Sequence, residues 1–306
     1  MSGRIVVTGA SGFIGRQLVP LLAGQGYAVV EAGRRPGPHG APFVAIGDIH
    51  GGTEWRAALE GADAVIHLAG LAHRPDAPEA DFVAVNDHGT RRLVEQAAEA
   101  DMRAIVHVGS IAARLAGPEI DHGYGRSKRA GEAHVLRFAE GGRTGIVLRP
   151  PLVYGFDAPG NWQRLQKLAA SGVPLPFGAV GNRRSLLAVE NLCSAVAAAL
   201  ATGLRGAATG SYEIADEGTI SLAAMLRSLR RGMGIPARLV PVPAALLRLG
   251  ARATGRAHLA GMLFDDLTVD PLPFMRAFGW QPEVTTREGM EESGRRFIAM
   301  RRPGRR

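Results

Sequence analysis

The first 150 residues alternate short apolar, β-branched runs with segments whose apolar positions recur at helical spacing. The runs predict strands over 4–8, 27–32, 42–46, 64–67, 104–108 and 145–148, and the segments between them predict helices over 14–23, 81–100 and 122–140. The strand runs are apolar at consecutive positions rather than alternate ones, as expected when both faces of a sheet are covered. The predicted fold class is therefore α/β, a doubly wound parallel sheet with helices on both faces.

After Arg149 the rhythm changes. Pro150-Pro151 interrupts the pattern, a Pro/Gly-rich stretch runs from Asp157 to Gly178, and later segments predict a helix over 189–202 and a strand near 211–215. This organisation predicts a sheet domain over 1–150 and a smaller C-terminal substrate lobe over 151–294, with some elements returning to the sheet. A basic tail follows over 295–306. The segment 246–263 is broken by Arg248, Arg252, Arg256 and His258 and reads as an amphipathic helix. No run of 18 uncharged apolar residues occurs, so no membrane insertion is expected.

The net charge is +8, but 295–306 carries six arginines and no acid, which leaves +2 over the other 294 residues. That is too little for a surface that tracks phosphates, so no nucleic-acid partner is expected. The one cysteine, Cys193, lies in an apolar run and reads as core. Together with the absence of a leader-like N-terminus, this points to a cytoplasmic protein.

Thr8-Gly9-Ala10-Ser11-Gly12-Phe13-Ile14-Gly15 follows the first strand and opens a helix. Three glycines at this junction identify a Rossmann-type dinucleotide turn. Gly9 permits the tight turn, Gly12 lets the backbone approach a pyrophosphate, and Gly15 allows close helix–strand packing. The helix N-terminus favours the negative charge. The end of the second strand should read the adenosine ribose. An acid there favours NAD; here Gly33 holds the position and Arg34 and Arg35 follow. The gap and the arginines favour NADP, with NAD the alternative and Glu31, two residues early, its only acidic candidate.

Tyr124 and Lys128 stand four residues apart on a predicted helix and so share a face. Ser110 follows the strand over 104–108, at the edge where open α/β sheets bind ligands. Hydride exchange at a C–OH carbon also requires a proton to move on the oxygen. An ammonium about 4 Å from a phenol is worth roughly 4 kcal/mol at an effective dielectric near 20, enough to lower the phenol's pKa by about 3. Tyr124 is then the acid–base residue, Lys128 its activator, and Ser110 a donor to the carbonyl oxygen.

These residues resemble the extended branch of the short-chain dehydrogenase/reductase family over nearly the whole chain. The resemblance includes Gly47-Asp48-Ile49, His67-Leu68-Ala69-Gly70, Asn86 with Gly89-Thr90, and Arg149-Pro150-Pro151-Leu152-Val153-Tyr154. It implies that Asp48 and Ile49 lie by the adenine, that Leu68, Ala69, Gly70 and Asn86 line the cofactor, and that Pro150 and Val153 run past the nicotinamide. Pro176-Phe177-Gly178, Arg183-Arg184-Ser185 and Val189-Glu190-Asn191-Leu192 are similar to nucleotide-sugar epimerases and 4-keto-sugar reductases. That similarity implies a UDP-sugar substrate, with Pro176 and Phe177 at the uracil and Arg184 at the diphosphate. Ser110, Ile111, Tyr124 and Leu152 would face the sugar. It also implies a homodimer joined through the helices over 81–100 and 122–140, and a place in surface-polysaccharide synthesis.

Two departures weigh against epimerase chemistry. Leu152 stands where UDP-galactose 4-epimerases place an asparagine, and only 14 residues separate Ser110 from Tyr124. The expected activity is NADPH-dependent reduction of the 4-keto group of a UDP-linked hexose. The alternatives are a UDP-sugar 4-epimerase with retained NAD, a reductase of a non-sugar carbonyl, and a non-catalytic cofactor sensor. No histidine or cysteine spacing suits a metal. His107 reads as a satisfied core residue, while His122 is a candidate for the pocket edge.

Overall fold

A computed structural model of the chain describes residues 3–72, 74, 76–115, 123–255, 261 and 263–301. Two compact units emerge. The first holds Met1–Pro151, Val189–Ile214 and Asp270–Gln281; the second holds Leu152–Ala188, Ala215–Val269 and Pro282–Arg306.

The first unit is built on seven parallel strands: β1 (Arg4–Thr8), β2 (Ala28–Gly33), β3 (Phe43–Ala45), β4 (Ala64–His67), β5 (Ala104–Val108), β6 (Thr144–Arg149) and β9 (Gly210–Glu213). Their order is β3-β2-β1-β4-β5-β6-β9. The chain winds outward from β1 to β3 and then crosses to β4, so the order reverses between β1 and β4. In open α/β sheets that reversal leaves a crevice at the strands' carboxyl ends. Val6, Val65, Ile105 and Val147 bury one sheet face against Trp55, Leu93, Val135 and Phe138. The helices α4 (Thr90–Glu99) and α6 (Tyr124–Phe138) supply three of those partners. On the other face, Gly203 at the end of α8 (Val189–Gly203) lies against Ala104 and Ile146. α8 and β9 therefore belong to the sheet unit, and the lobe expected over 151–294 gives up 189–214 and 270–281 to it.

One expected helix is interrupted. The segment 81–100 begins with a short helix, α3 (Glu79–Phe82), passes through a π-helical turn, Val83–Gly89, and only then continues as α4. Single π-turns inside helices gather at functional positions. Within this one Asn86 is buried, and its carbonyl oxygen accepts the Thr90 hydroxyl at 2.8 Å.

The second unit pairs β7 (Leu152–Tyr154) with β8 (Leu186–Ala188) in parallel. The unit also holds α7 (Asn161–Ala170), α9 (Leu222–Met233), α10 (Ala244–Ala253) and the helix Thr286–Arg301, the last of which packs on β8 and α9. Within the expected amphipathic segment, α10 covers the first part, whereas Arg256 and His258 lie outside the described residues. Among the described residues, no helix is long and apolar enough to cross a membrane.

Candidate active site

A groove of about 640 Å³ opens where the strand order reverses. Gly9, Ser11 and Gly12 line it after β1, and Leu68, Ala69 and Gly70 after β4. Gly33, Arg34 and Arg35 close it after β2, together with Asp48 and Ile49. Ten of the predicted cofactor residues thus share one concave surface.

The turn after β1 demands glycine at position 9. Its φ is +71°, and a Cβ there would sit 2.9 Å from the Ala69 amide nitrogen. Gly15 also needs to lack a side chain, but for a different reason from the one expected. Its missing Cβ would lie 2.5 Å from Ala10 and the Gly9 carbonyl, so the close contact is with the turn itself rather than with a strand. Phe13 and Ile14 lead from the turn into α1 (Gly15–Gly24). A bare backbone cradle at a helix start, opening into a groove of this volume, fits the pyrophosphate and adenosine of a dinucleotide.

The ribose end of the groove carries no acid from β2. Glu31 is buried and turned away, its Oε2 accepting the Gly37 amide at 2.5 Å. This bond shapes the loop that presents Arg34 and Arg35. Arg34 reaches Asp48 at 3.2 Å, with both side chains more than 70% exposed. Such a pair is worth at most about 1 kcal/mol and exchanges readily for a ligand anion.

Beneath the groove runs a buried hydrogen-bond chain whose direction is fixed. Thr90 Oγ1 donates to the Asn86 carbonyl, so it must accept from His67 Nε2 at 3.2 Å. His67 Nδ1 is then unprotonated and accepts from Thr8 Oγ1 at 2.8 Å, and Thr8 accepts from the Ala69 amide at 3.2 Å. Burial, with a smaller contribution from Lys128, pushes the His67 pKa down to about 3, so the ring stays neutral. No local pattern singled out His67 beyond its being a polar residue in an apolar strand. His107 stacks on it at 5.1 Å. His107 is buried as expected, but its ring nitrogens meet no hydrogen-bond partner among the described residues, so it is not the satisfied histidine anticipated.

Tyr124, Lys128 and Ser110 converge beside this chain. α6 begins at Tyr124, and Lys128 lies one turn on, buried, with Nζ donating to the Val108 carbonyl at 3.0 Å. Ser110 follows β5 and hydrogen-bonds the Tyr124 phenol. Ile111 and Pro150 are tied by an amide-to-carbonyl bond of 3.0 Å. Burial lowers the Lys128 pKa to about 8, against the pull of Glu132. The Tyr124 pKa is raised, first by burial, with Ser110 opposing and Glu132 adding to the rise. The lowering expected from Lys128 is thus reversed: desolvation dominates, and the ammonium is engaged with Val108. Glu132, a further turn along α6, is 1% exposed. Its Oε2 accepts two bonds from Arg149, at 2.9 and 2.7 Å. The spacing 124, 128, 132 was the available signal for this carboxylate.

Four of the predicted substrate residues, Leu152, Pro176, Phe177 and Arg184, belong to the second unit, as does Val153. Leu152 and Val153 are on β7. Pro176 is exposed, and Phe177 packs against Phe264 at 6.2 Å. Arg184 donates to the carbonyl of the next residue, Asp265, at 2.8 Å, so Phe177 and Arg184 converge on one segment. His122 lies outside the described residues. Cys193 is buried and its thiol is pushed up to about 12, which suits core and not nucleophile. No group of three metal-ligating side chains occurs among the described residues.

Residues 5–215 match the profile of the NAD dependent epimerase/dehydratase family. The chain is 29% identical to a UDP-glucose 4-epimerase of Vibrio cholerae over 97% of its length and 96% of the relative's. It is 33% identical to a ceramide reductase of Caulobacter vibrioides over 79% of its length and 74% of the relative's. Among solved structures, MoeE5 in complex with UDP-glucose and NAD superposes with a TM-score of 0.73 at 25% identity, covering 96% of this chain and 99% of that one.

Proposed function

The chain belongs to the NAD dependent epimerase/dehydratase family and is an NAD(P)-dependent enzyme of the short-chain dehydrogenase/reductase type, and from that premise we propose that it reduces the 4-keto group of a UDP-linked deoxy- or N-acetylhexose with NADPH. The observation that carries the reading is the end of β2. Gly33 leaves room beside the ribose, Arg34 and Arg35 line the groove, and Glu31 is occupied with Gly37. Space and two guanidinium groups suit a 2′-phosphate. A phosphorylated cofactor in turn suits a reductant exchanged at each turnover rather than one retained.

A nicotinamide held in the groove would supply the hydride. Ser110 donates a hydrogen bond to the carbonyl oxygen and stabilises the charge that develops there. Tyr124, held protonated by burial, delivers its proton to that oxygen as the carbon is reduced. Lys128 offers a cation next to the phenolate that remains and would donate to the ribose of a bound cofactor. Glu132, locked by Arg149, opposes the loss of charge that burial favours at Lys128. Phe177 and Arg184 take the uracil and diphosphate, supported by their convergence on Phe264 and Asp265 and by the full-length similarity to a UDP-glucose 4-epimerase. The same reading makes the protein a cytoplasmic homodimer, joined through α4 and α6, acting in surface-polysaccharide synthesis.

The test is to denature purified protein, identify any nucleotide released, and assay the protein on UDP-4-keto sugars with NADPH and NADH. A nucleotide-free protein that oxidises NADPH with a UDP-4-keto sugar is the expected result. Stoichiometric retained NAD with interconversion of UDP-glucose and UDP-galactose would replace the reductase by an epimerase. A second reading, reduction of an apolar non-sugar carbonyl, is favoured by the 33% identity to a ceramide reductase. NADPH oxidation with long-chain ketones, and none with UDP-sugars, would establish it.

A further inference from the structure

Among the described residues, nothing in its own unit covers one apolar face of α10. Its inward side is fixed by Arg248, which pairs with Asp265 at 2.7 Å, donates to the Phe264 carbonyl at 3.1 Å and lies over the Phe264 ring. At about 100° per residue, Leu249, Ala253 and Leu246 lie about 100°, 140° and 160° around the helix from Arg248, and Ala245 and Arg252 flank them at about 60° and 40°. All five are exposed, Leu246 by 59% and Leu249 by 63%. Two leucines left in water on adjacent turns of one helix are an unusual arrangement for a surface with no partner.

The charge around this face is one-sided. Over 218–264 the chain carries seven arginines and no acid, although the whole sequence holds 28 acidic residues. The described cations of the stretch are not equivalent. Arg230 is buried among carbonyls, and Arg231 and Arg248 are paired with Glu291 and Asp265. Arg238 and Arg252 are exposed and make no ion pair among the described residues. Val240 and Leu263, in the same acid-free stretch, are also exposed. A face of leucines edged by arginine, with the adjacent Asp265 carboxylate paired to Arg248, matches the chemistry of a helix that lies in the plane of an anionic bilayer surface.

We propose that α10 docks this protein peripherally on anionic membrane lipid, with Leu246 and Leu249 entering the headgroup–acyl boundary and Arg252 contacting lipid phosphate. The helix has ten residues, so it lies on the bilayer and does not span it. Each arginine near an anionic surface contributes about a fivefold gain in binding, lost as salt rises. The inference does not depend on which carbonyl the enzyme reduces, because α10 and the dinucleotide groove belong to different units.

The experiment is co-sedimentation of the full chain with vesicles of phosphatidylcholine alone or with phosphatidylglycerol, for wild type, Leu246→Gln/Leu249→Gln and Arg252→Gln. Cofactor affinity serves as the control for folding. Wild type is expected to pellet with the anionic vesicles and to be released by high salt. The double variant should lose at least tenfold in partitioning and Arg252→Gln about fivefold, each with unchanged cofactor affinity. A Leu249→Trp variant should shift its emission to the blue on the anionic vesicles. Failure of wild type to pellet overturns the proposal. Equal pelleting of the double variant, or an unmoved Leu249→Trp emission, also overturns it by locating the lipid contact elsewhere, as in the basic tail. Loss of a larger oligomer in the double variant, without vesicle binding by wild type, overturns it in favour of a contact between copies of the chain.

Discussion

Asn86 donates through Nδ2 to Ser127 Oγ at 3.1 Å, and this bond joins the segment under the dinucleotide groove to the helix that carries Tyr124 and Lys128. The same side chain holds both backbone groups of Leu71, accepting its amide at 2.8 Å and donating to its carbonyl at 3.0 Å. Ser127 passes the link on to the Tyr124 carbonyl at 2.9 Å. Leu71 lines the groove, so one amide links the groove wall to the helix of Tyr124 and Lys128.

Asn86→Ala removes all three bonds and leaves the half-buried backbone groups of Leu71 without partners. Each such group costs about 1–3 kcal/mol. We expect a loss of roughly 3 kcal/mol or more in urea unfolding and a cofactor Kd raised at least tenfold. Unchanged cofactor affinity in a folded variant would show that the segment holds its position without Asn86.

Tyr124→Phe keeps the ring against Phe82, at 5.9 Å, and removes only the hydroxyl. Loss of a positioned general acid lowers turnover by about 10² to 10⁴. Cofactor affinity should stay within about twofold, since the phenol adds little to ground-state binding. Stopped-flow measurement of NADPH binding beside steady-state turnover separates the two. Residual activity above a tenth of wild type would remove Tyr124 from the acid–base role.

The sheet was legible because each buried strand is a short β-branched run between turn residues, and β1, β4 and β5 begin and end where the pattern places them. The π-turn at Val83–Gly89 was not legible. A π-turn shares its apolar spacing with an α-helix, and its cause is tertiary, since Asn86 bonds to Leu71 and Ser127. The glycine turn and the shared helix face of Tyr124 and Lys128 could be read because both depend on local spacing. The Thr8–His67–Thr90 chain joins residues 59 and 23 positions apart, and no local pattern encodes it. The direction of the Tyr124 shift was misjudged for the same reason. Spacing gives the distance to a charge but not the burial that opposes ionisation.

Lys128 should be a residue that costs stability and supplies function. In the folded chain burial brings its pKa to about 8, from an ordinary 10.5. Between those values the unfolded chain binds more protons, so stability rises as pH climbs from 8 to 10.5. Below pH 8 the full cost is present, roughly 3 kcal/mol at about 1.4 kcal/mol per tenfold change in proton affinity. Lys128→Met removes that cost and one bond to Val108 worth about 1 kcal/mol. The variant should therefore be about 2 kcal/mol more stable at pH 7 and almost inactive. Its advantage should vanish near pH 10.5. Urea unfolding of both proteins at pH 7 and pH 10.5 isolates this residue, because the other titrating groups are common to the pair. A variant less stable than wild type at pH 7 would mean that the ammonium is better solvated than its burial implies.

Gly33 gives the most direct control over cofactor choice. A Cβ at this position would meet only the Arg35 carbonyl oxygen, at 3.8 Å, an ordinary contact. Its φ is not in the left-handed region, so a side chain introduces no backbone strain there. Gly33→Asp therefore places a carboxylate at the end of β2 without disturbing the fold. That carboxylate accepts hydrogen bonds from the two ribose hydroxyls of NADH and repels the 2′-phosphate of NADPH. Two opposed effects of about 1.5 kcal/mol each correspond to a change of roughly 100-fold in the ratio of the two affinities. Arg34→Ala acts on one side only, weakening NADPH by about tenfold and leaving NADH nearly unchanged, because the Arg34–Asp48 pair it breaks is exposed and weak. Fluorescence titration of wild type and both variants with each cofactor measures all six constants. If Gly33→Asp leaves the ratio where it was, the ribose does not sit at the end of β2, and the preference for NADPH loses its basis.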